Sequence, residues 1–505
     1  MNESSQAASI VARTAKGAGW TIAWRMVTRI LGVVSTLILV RFLLPADFGV
    51  VALGTAFVQS MDALAYLGVE EALIREKRPE RAHYNTGFTL NVLRGLFIAA
   101  VLAGSAIPAS AFFEEPRLAN VLFALAAGMA VNGLNNIGLV DFRRDFAFDK
   151  EFLSMIVPRL AGMTSMVGSA MLFHSYWALV VGVLVQRVVA LVISYAMHPY
   201  RPRLSLQAWR DLSGYSLWSW LVALAVLVRE RSNAFLLGHA LGPTPVGVYA
   251  LGAEVALLPT SELIAPIARA AFSGFAAARH EGGSTAETYL RMVGGMSLLT
   301  LPAGFGLSLL ASPLVYLAFG PLWSEAVPLV QILGIAGALT VFGYLASTLF
   351  SAHGLLQIIF RITVFAALLR LGLLLIMVNM LGLVGSALAV AASILAEDAA
   401  YFVMVRRHFG VSAGTMIGRL WRCLLATTAM ALVLVQSGLG WVTFQGGPAV
   451  QFWHLATGTL VGIVVYAVVL ITAWLASGRP EGGEAELLAL LRRGLTRATG
   501  ALRTT

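Results

Sequence analysis

Residues 355–405 read LLQIIFRITVFAALLRLGLLLIMV, NMLG and LVGSALAVAASILAEDAAYFVMV in succession. Two mostly apolar runs, 355–378 and 383–405, are therefore separated by only four residues. About twenty apolar residues in an α-helix cross the ~30 Å hydrocarbon core of a bilayer. The stretch predicts two membrane-spanning helices joined by a tight turn at 379–382.

The rest of the chain repeats this pattern. Of its 505 residues, 58% are hydrophobic and only 12% are charged, whereas a soluble protein has about a quarter charged residues. Lipid must therefore cover much of the outside, and we predict an all-α, polytopic membrane protein of about fourteen transmembrane helices. The predicted spans are 20–43, 47–68, 86–112, 117–140, 151–173, 176–197, 213–236, 245–268, 288–312, 323–350, 355–378, 383–405, 418–436 and 452–475.

Composition also excludes several classes of protein. The net charge is +10, but the Lys and Arg residues lie in short loops between apolar segments and not on one polar domain, so we expect no nucleic-acid partner. The single cysteine, Cys423, rules out an internal disulfide and a cysteine-based metal site. We expect no cofactor and no metal. Residues 1–19 lack the apolar core of a cleavable signal peptide and are expected to form a cytoplasmic lead-in.

Loop charges predict the orientation in the membrane. Alternate loops are basic, whereas the opposite loops contain Arg117 as their only basic residue. By the positive-inside rule the basic loops and both termini are cytoplasmic, which requires an even number of spans. The tail after Gly478 combines leucines with arginines, and either an amphipathic surface helix or a solvated tail fits it. The basic loop residues are Arg75, Lys77, Arg78 and Arg81; Arg143, Arg144 and Lys150; Arg201, Arg203 and Arg210; and Arg406 and Arg407.

An internal repeat divides the chain. LLPADFGVVALG at 43–54 recurs as LGPTPVGVYALG at 241–252, with seven of twelve positions identical. A duplication six spans apart predicts two six-helix lobes with a substrate path between them, which is a transporter architecture. The predicted segments are an N-terminal segment (1–19), an N-lobe (20–210), a C-lobe (211–410), two peripheral spans (411–476) and a tail (477–505).

Charged residues within the apolar spans mark the candidate site. Each costs at least about 2.5 kcal/mol at the bilayer centre, so such residues usually face a cavity or a partner. The repeat makes spans 1, 2, 7 and 8 counterparts, and their polar faces are expected to line one net cationic cavity. The alternative is a set of structural ion pairs with snorkelling arginines. The candidate substrate-binding residues are Arg25, Arg29, Gln59, Asp62, Arg229, Arg231, Glu254 and Glu262.

Two ion pairs are expected from depth in the membrane. Asp62 is predicted at the depth of Arg25, so the two could pair. Arg361 is predicted at the depth of Glu397 and Asp398 and could pair with them within the second half.

Other polar residues are expected to pack between helices. Arg159 and Arg187 are near mid-span in helices that we expect to contact each other. Asn132, Asn135 and Asn136, near the predicted cytoplasmic end of span 4, are expected to form interhelical hydrogen bonds.

Three motifs resemble a known family. Arg41 followed by Leu-Leu-Pro-x-x-Phe-Gly at 43–49, the run from Leu236 to Leu251, and Leu258-Pro259 in span 8 are similar to the polysaccharide biosynthesis and export family. That family includes Wzx-type O-antigen flippases and colanic-acid-type exporters. It belongs to a superfamily of multidrug, oligosaccharidyl-lipid and polysaccharide flippases.

The resemblance implies a function. Such a protein moves polyprenyl-diphosphate-linked oligosaccharide from the cytoplasmic to the periplasmic side of the bacterial inner membrane by alternating access. Membrane lipid and other polysaccharide-assembly proteins are further expected partners. Arg25 and Arg29 would receive the diphosphate, since arginine contacts phosphate bidentately. A proton or sodium gradient could bias the cycle through Asp62, Glu254 or Glu262.

One departure concerns span 7. Many relatives have an acidic residue shortly before Leu-Leu-Gly, whereas here Asn233 is nearest and Glu230 lies one turn earlier.

Two other functions stay open. A cation or drug antiporter of the same superfamily predicts an acidic cavity, which the arginines of span 1 do not favour. A membrane enzyme such as a sugar polymerase or ligase would need carboxylates or histidine near a sizeable outer loop. The longest such loop, 437–451, has no ionisable residue, and we do not expect an enzyme.

Overall fold

The computed structural model describes residues 20, 24, 26–76, 79–212, 217–280, 284–442, 446–480 and 483–484. Within these ranges, side chains are described for all residues except 211–212, 217–220, 259–270 and 277–280. The described residues are almost entirely helical and contain no β-strand. The predicted all-α fold class is confirmed.

Apolar helices follow one another with short connections. In chain order, the α-helices are α1 (Met26–Leu39), α2 (Pro45–Leu64), α3 (Val69–Arg75), α4 (Arg81–Phe112), α5 (Pro116–Gly133), α6 (Val140–Arg144), α7 (Phe148–Phe173), α8 (Trp177–Met197), α9 (Trp209–Leu212), α10 (Leu217–Leu241), α11 (Pro243–His280), α12 (Thr285–Leu309), α13 (Ala311–Phe319), α14 (Ala326–Ala352), α15 (Leu356–Phe409), α16 (Ala413–Gln436) and α17 (Pro448–Ala476).

Many of these helices can cross a membrane. Among the described residues, eight are long and apolar enough, or up to ten if the bent pairs α2–α3 and α5–α6 each count as one span. Helix α15 is broken at Gly382, where φ is 59° and ψ is −135°, so the backbone is not helical. Glycine adopts a positive φ more readily than any other residue. The turn predicted at 379–382 is therefore confirmed, and a multi-pass membrane protein results. The count of fourteen spans stays a prediction.

The chain divides into two compact units. Unit 1 contains residues up to Leu227 together with Ala234–Gly247, and unit 2 contains Val228–Asn233 and the residues from Val248 onwards. The lobe boundaries read from the sequence stay predictions.

Small residues bring the helices of unit 1 together. Helix α7 packs on α8 where a Cβ on Gly162 would lie 2.8 Å from the carbonyl oxygen of Gly182. Helix α4 packs on α5 where a Cβ on Gly95 would lie 2.8 Å from the Cα of Gly133. Close backbone approach at glycine is typical of helix association in lipid. The expected contact between the helices of Arg159 and Arg187, α7 and α8, is confirmed.

Unit 2 is built in the same way. Helix α12 packs on α14, where a Cβ on Gly304 would lie 2.5 Å from the carbonyl oxygen of Gly334. Helix α14 also packs on α15, and α16 packs on α17 and α12. Phe275, Tyr289 and Phe350 are buried in one apolar cluster of this unit.

Candidate functional site

In unit 1, the carboxylate of Asp62 binds an arginine of a neighbouring helix. Arg94 of α4 donates from Nη2 to Asp62 Oδ1 at 2.7 Å and to the Asp62 carbonyl oxygen at 3.2 Å. The guanidinium also lies 5.8 Å from the centre of the Tyr66 ring. The expected partner Arg25 lies outside the described residues. Arg94, which the sequence analysis did not single out, is therefore the partner that the structure assigns to Asp62.

Two further arginines of unit 1 are half-buried, and each lies beside a glycine. A Cβ on Gly128 of α5 would lie 3.2 Å from Nη1 of Arg187, and a Cβ on Gly32 of α1 would lie 3.4 Å from Nη2 of Arg159. Arg187 Nη1 is buried and has no hydrogen-bond partner among the described residues. Asp62 lies within electrostatic range of Arg187. The unit therefore holds partly buried guanidinium groups on its apolar helices.

In unit 2, charged side chains from α10 and α15 form a network. Arg229 donates to Glu397 Oε1 at 2.5 Å and to Glu230 Oε1 at 3.1 Å. Arg370 lies 3.8 Å from Glu230 and donates from Nε to Ser393 Oγ at 2.8 Å. Arg370 is 4% exposed, so the network holds this cation inside the protein fold. Arginine donors satisfy both carboxylates, of which Glu397 is half-buried and Glu230 is exposed.

This network corrects one predicted pair. Glu397 binds Arg229 and not Arg361, which is exposed on α15. Asp398 accepts from the Gly343 amide at 3.0 Å, and its other oxygen is buried without a partner among the described residues. The prediction failed because depth in the membrane does not determine which way a helix faces.

Asn233 and Glu230, the two polar residues singled out before Leu-Leu-Gly in span 7, have different partners in the structure. Asn233 is buried and donates from Nδ2 to the Tyr249 hydroxyl at 3.0 Å. Glu230, one turn earlier, takes part in the arginine network. The residue nearest to Leu-Leu-Gly is therefore the buried amide of Asn233. The carboxylate of Glu230 forms ion pairs with Arg229 and Arg370.

The remaining predicted site residues are distributed over both units. Arg29 of α1 is half-buried, and Gln59 of α2 is exposed. Arg231 is half-buried and, among the described side chains, takes no part in the unit 2 network; Glu254 is also half-buried. Glu262 lies in α11, but its side chain is outside the described part of the chain. Convergence of all eight residues on one cavity stays a prediction.

The asparagines near the end of α5 follow expectation in part. The Asn136 side chain donates from Nδ2 to the Tyr200 carbonyl oxygen at 2.7 Å, and the Asn136 backbone N–H donates to Ser194 Oγ at 3.0 Å. These bonds join the end of α5 to the end of α8 and confirm the interhelical role of Asn136. Asn135 instead donates to Asn132 at 3.2 Å.

Unit 2 also contains a large apolar cavity of about 700 Å³. Side chains of α12, α16 and α17 line it, among them Leu307, Met430 and Ile463. At one end lies Glu484, which accepts from Arg422 Nε at 2.7 Å, and both residues are buried. The start of the tail therefore docks on α16, whereas residues 485–505, for which a surface helix was considered, lie outside the described residues.

Sequence reasoning missed Arg94 and Arg370. Both lie inside predicted apolar spans, where a charged side chain is costly in lipid. By this criterion they were candidates for the site as much as Arg29 was. Both arginines lie on helices outside the four spans that the repeat makes counterparts.

Comparison with known proteins identifies the family. The model of the family described as polysaccharide biosynthesis protein matches residues 38–328, more than half of the chain. The lipopolysaccharide biosynthesis protein WzxC of Escherichia coli (strain K12) is 24% identical over 418 residues, covering 82% of this chain and 85% of that protein. The succinoglycan biosynthesis transport protein ExoT of Rhizobium meliloti (strain 1021) is 25% identical over 328 residues, covering 64% and 66%.

Solved structures show the same fold. The lipid II flippase MurJ in an inward closed conformation superposes with a TM-score of 0.73 at 13% identity, covering 91% of this chain and 99% of that one. An inward-facing multidrug resistance MATE family transporter superposes with a TM-score of 0.59 at 17% identity, covering 76% and 94%. This multi-pass bacterial membrane protein therefore belongs to the polysaccharide biosynthesis protein family.

Proposed function

We propose that this protein is a transporter that moves a polyprenyl-diphosphate-linked oligosaccharide across the bacterial inner membrane. It carries the substrate from the cytoplasmic to the periplasmic side by alternating access and has no catalytic role. Both termini are cytoplasmic, and other polysaccharide-assembly proteins supply and receive the glycan. The names of the relatives WzxC and ExoT, which refer to lipopolysaccharide and succinoglycan biosynthesis, support this substrate class.

One observation carries the proposal: arginines lie inside the apolar helices of unit 1, and one has a buried donor left over. Arg187 Nη1 is buried and has no hydrogen-bond partner among the described residues, and a buried donor without an acceptor is costly. A diphosphate supplies both the negative charge and the acceptor oxygens that a guanidinium can bind. Arg159, Arg187 and the predicted pair Arg25 and Arg29 are then the cations that receive the head group.

The lipid part of the substrate has a matching surface in unit 2. The cavity of about 700 Å³ is lined almost wholly by aliphatic side chains such as Leu307 and Ile463. A polyprenyl chain is apolar and has no group that needs a hydrogen bond, so such a surface accepts it without desolvation cost. This surface of unit 2 therefore suits an apolar chain of a lipid.

Ion coupling in this proposal uses carboxylates outside the unit 2 network. Asp62 and Glu254 are both half-buried, and we assign the binding of a coupling ion to them and to Glu262. A gradient shifts the populations of the conformations only if the ion binds them with different affinities.

The test uses the full chain in proteoliposomes. The substrate is an undecaprenyl-diphosphate-linked oligosaccharide with a fluorophore on the sugar, and an impermeant reductant quenches the dye in the outer leaflet. We expect the protein to expose the inner-leaflet dye to quenching much faster than protein-free liposomes do. Equal rates in both preparations would contradict the proposal. Proton exchange for a cationic drug, with no movement of the labelled lipid, would establish an antiporter instead.

A further inference from the structure

Unit 1 contains a polar cavity that the proposed function does not yet use. It has a volume of about 250 Å³ and lies between the end of α2, the start of α3, and helices α4 and α5. Its walls are mainly polar, in contrast to the apolar cavity of unit 2. The lining includes Asp62, Tyr66, Asn91, Arg94, Asn132 and Asn135.

Glycines create this cavity. At the crossing of α4 and α5, a Cβ on Gly133 would lie 2.8 Å from the Asn91 carbonyl oxygen and 3.1 Å from the Gly95 Cα. The two backbones therefore touch, which brings Asn91 and Asn132 to the same space. Gly68, at a φ of 63°, precedes α3 and lets the chain bend by 43° after α2. That bend closes the cavity on its third side.

Two polar atoms on the walls still lack partners. Arg94 uses Nη2 to hold Asp62 at 2.7 Å, but its buried Nε–H has no acceptor among the described residues. Asn135 donates to Asn132, but its own buried Oδ1 accepts no hydrogen bond from them. The cavity thus offers one donor and one acceptor at buried positions. A ligand that both donates and accepts, as a hydroxyl group does, satisfies both.

The charged residues around the cavity do not favour a phosphate or a metal ion as its ligand. Three carboxylates line the cavity, those of Asp62, Glu70 and Glu71. Asp62 pairs with Arg94, and Glu70 pairs with Arg143 from outside the lining at 3.1 Å, so the carboxylates still outnumber the arginines that pair with them. A phosphate would meet repulsion here. A bare metal ion is not favoured either, since the described residues hold no cluster of three His, Cys, Asp or Glu side chains suited to one. An uncharged group with several hydroxyls remains.

Size and surface support a sugar. The volume of about 250 Å³ is just below the ~300–1,000 Å³ of sites for drug-sized ligands, so it suits one sugar ring. Tyr66 contributes an aromatic ring beside the amides and the arginine. The predicted orientation places the ends of α2 and α5 and the start of α4 on the cytoplasmic side, where the glycan arrives.

We propose that this cavity binds one uncharged sugar residue of the glycan, separately from the arginines that receive the diphosphate. The inference rests on the proposed function and deepens it, because this site makes transport selective for the sugar and not only for the lipid diphosphate.

Binding is tested on the full chain in nanodiscs with two probes. The first is the lipid-linked oligosaccharide extracted from the producing strain, and the second is undecaprenyl diphosphate without sugar. The wild type should bind the first probe about tenfold more tightly, as two added hydrogen bonds would give. Asn135→Leu removes the unpartnered Oδ1, and Asn132→Leu removes the acceptor that orients the Asn135 amide. Each variant should reduce the difference to about threefold, as the loss of one of the two hydrogen bonds implies, and bind the sugar-free lipid as the wild type does. Asn120→Leu is the matched control, because Asn120 is exposed on the same helix α5.

The outcomes separate the two proposals. If the wild type binds neither probe, the proposed function fails together with the sugar site. If it binds both probes equally, the sugar site is wrong while lipid diphosphate binding stands. If it prefers the oligosaccharide and Asn135→Leu keeps that preference undiminished, only the sugar site is wrong.

A labelling experiment covers the case in which the variants do not fold. Asn132 is exposed, so Asn132→Cys in a Cys423→Ser background reacts with a water-soluble maleimide. The lipid-linked oligosaccharide should slow this reaction about tenfold, and the sugar-free lipid should leave it unchanged, as the expected occupancy implies. Equal labelling rates with both lipids would overturn the sugar site.

Discussion

Gly49 and Gly247, equivalent positions of the internal repeat, contact each other's segment reciprocally. A Cβ on Gly49 would lie 1.7 Å from the Pro243 carbonyl oxygen, and a Cβ on Gly247 would lie 2.0 Å from the Pro45 carbonyl oxygen. The two copies of one motif thus meet through the backbones that follow their prolines. Glycine is required at both positions because no other residue leaves room for this approach.

A methyl group added at either glycine should therefore destabilise the fold. We expect Gly49→Ala and Gly247→Ala each to lower the free energy of unfolding by about 1–3 kcal/mol, since a rigid backbone must move to admit the added atom. Thermal unfolding of the purified protein measures the change. Gly104→Ala is the control, because a Cβ there meets nothing within 4 Å. Equal unfolding temperatures for all three variants would contradict the role of the contact.

The arginine network of unit 2 should behave as a coupled unit. Glu397→Met leaves Arg229 with Glu230 as its remaining carboxylate partner. We expect a loss of about 1.5–3 kcal/mol in the free energy of unfolding, as for a lost hydrogen bond between charged groups. The double variant Arg229→Met/Glu397→Met removes both charges and should recover most of that loss. Denaturant titration of the four proteins of this cycle measures the coupling energy.

Arg361→Met supplies the control for that cycle. It removes an exposed arginine from the same helix, α15, and should change the free energy of unfolding by less than about 0.5 kcal/mol. Additive effects of Arg229→Met and Glu397→Met would show that the pair contributes nothing to folding.

Substitution of Arg187 should impair transport without lowering the stability of the protein. Arg187→Met removes a half-buried arginine whose buried Nη1 has no partner among the described residues, so the unfolding temperature should stay equal or rise. Affinity for undecaprenyl diphosphate should fall about tenfold or more, as expected for a lost hydrogen bond to a charged group. Lipid movement in the proteoliposomes should slow with it. Unchanged affinity would remove Arg187 from the head-group site.

The outer-loop ion pair should produce a pH dependence. Arg117 binds both oxygens of Glu115, at 2.8 and 2.9 Å, and this contact lowers the pKa of Glu115 below its usual 4.5. A lowered carboxyl pKa stabilises the fold above the unfolded-state pKa and loses that contribution as pH falls through the folded-state pKa. Arg117→Ala should therefore destabilise the protein at pH 7 by about 1–2 kcal/mol.

The difference between Arg117→Ala and the wild type should shrink as pH drops below 4.5, the unshifted pKa. Unfolding curves at several pH values between 7 and 3 measure it. A difference that stays constant over this range would show that packing of Arg117, and not its charge, stabilises the loop.

The same ion pair explains an exception in the loop charges. Arg117 is the only basic residue in the loops predicted to face outwards, and it also lies 3.4 Å from Asp47, whose other oxygen accepts from the Leu44 amide at the start of α2. Two carboxylates therefore neutralise this arginine. The sequence alone does not show whether an arginine in a loop forms ion pairs or determines the orientation of the helices in the membrane. Ion pairing depends on which helix ends are neighbours in the fold.

The apolar runs, the tight turn at Gly382 and the repeated Pro-Gly motif were all legible in the amino-acid sequence, because each depends on local chemistry: hydrocarbon must be covered by apolar residues, and backbone torsions limit where glycine is needed. The pairing of charges was not. Asp62 binds Arg94 and Arg229 binds Glu397 across 32 and 168 residues. Periodicity places a side chain on a helix face, but only packing rotates that face towards a particular neighbour, and in an apolar interior any nearby opposite charge is a favourable partner.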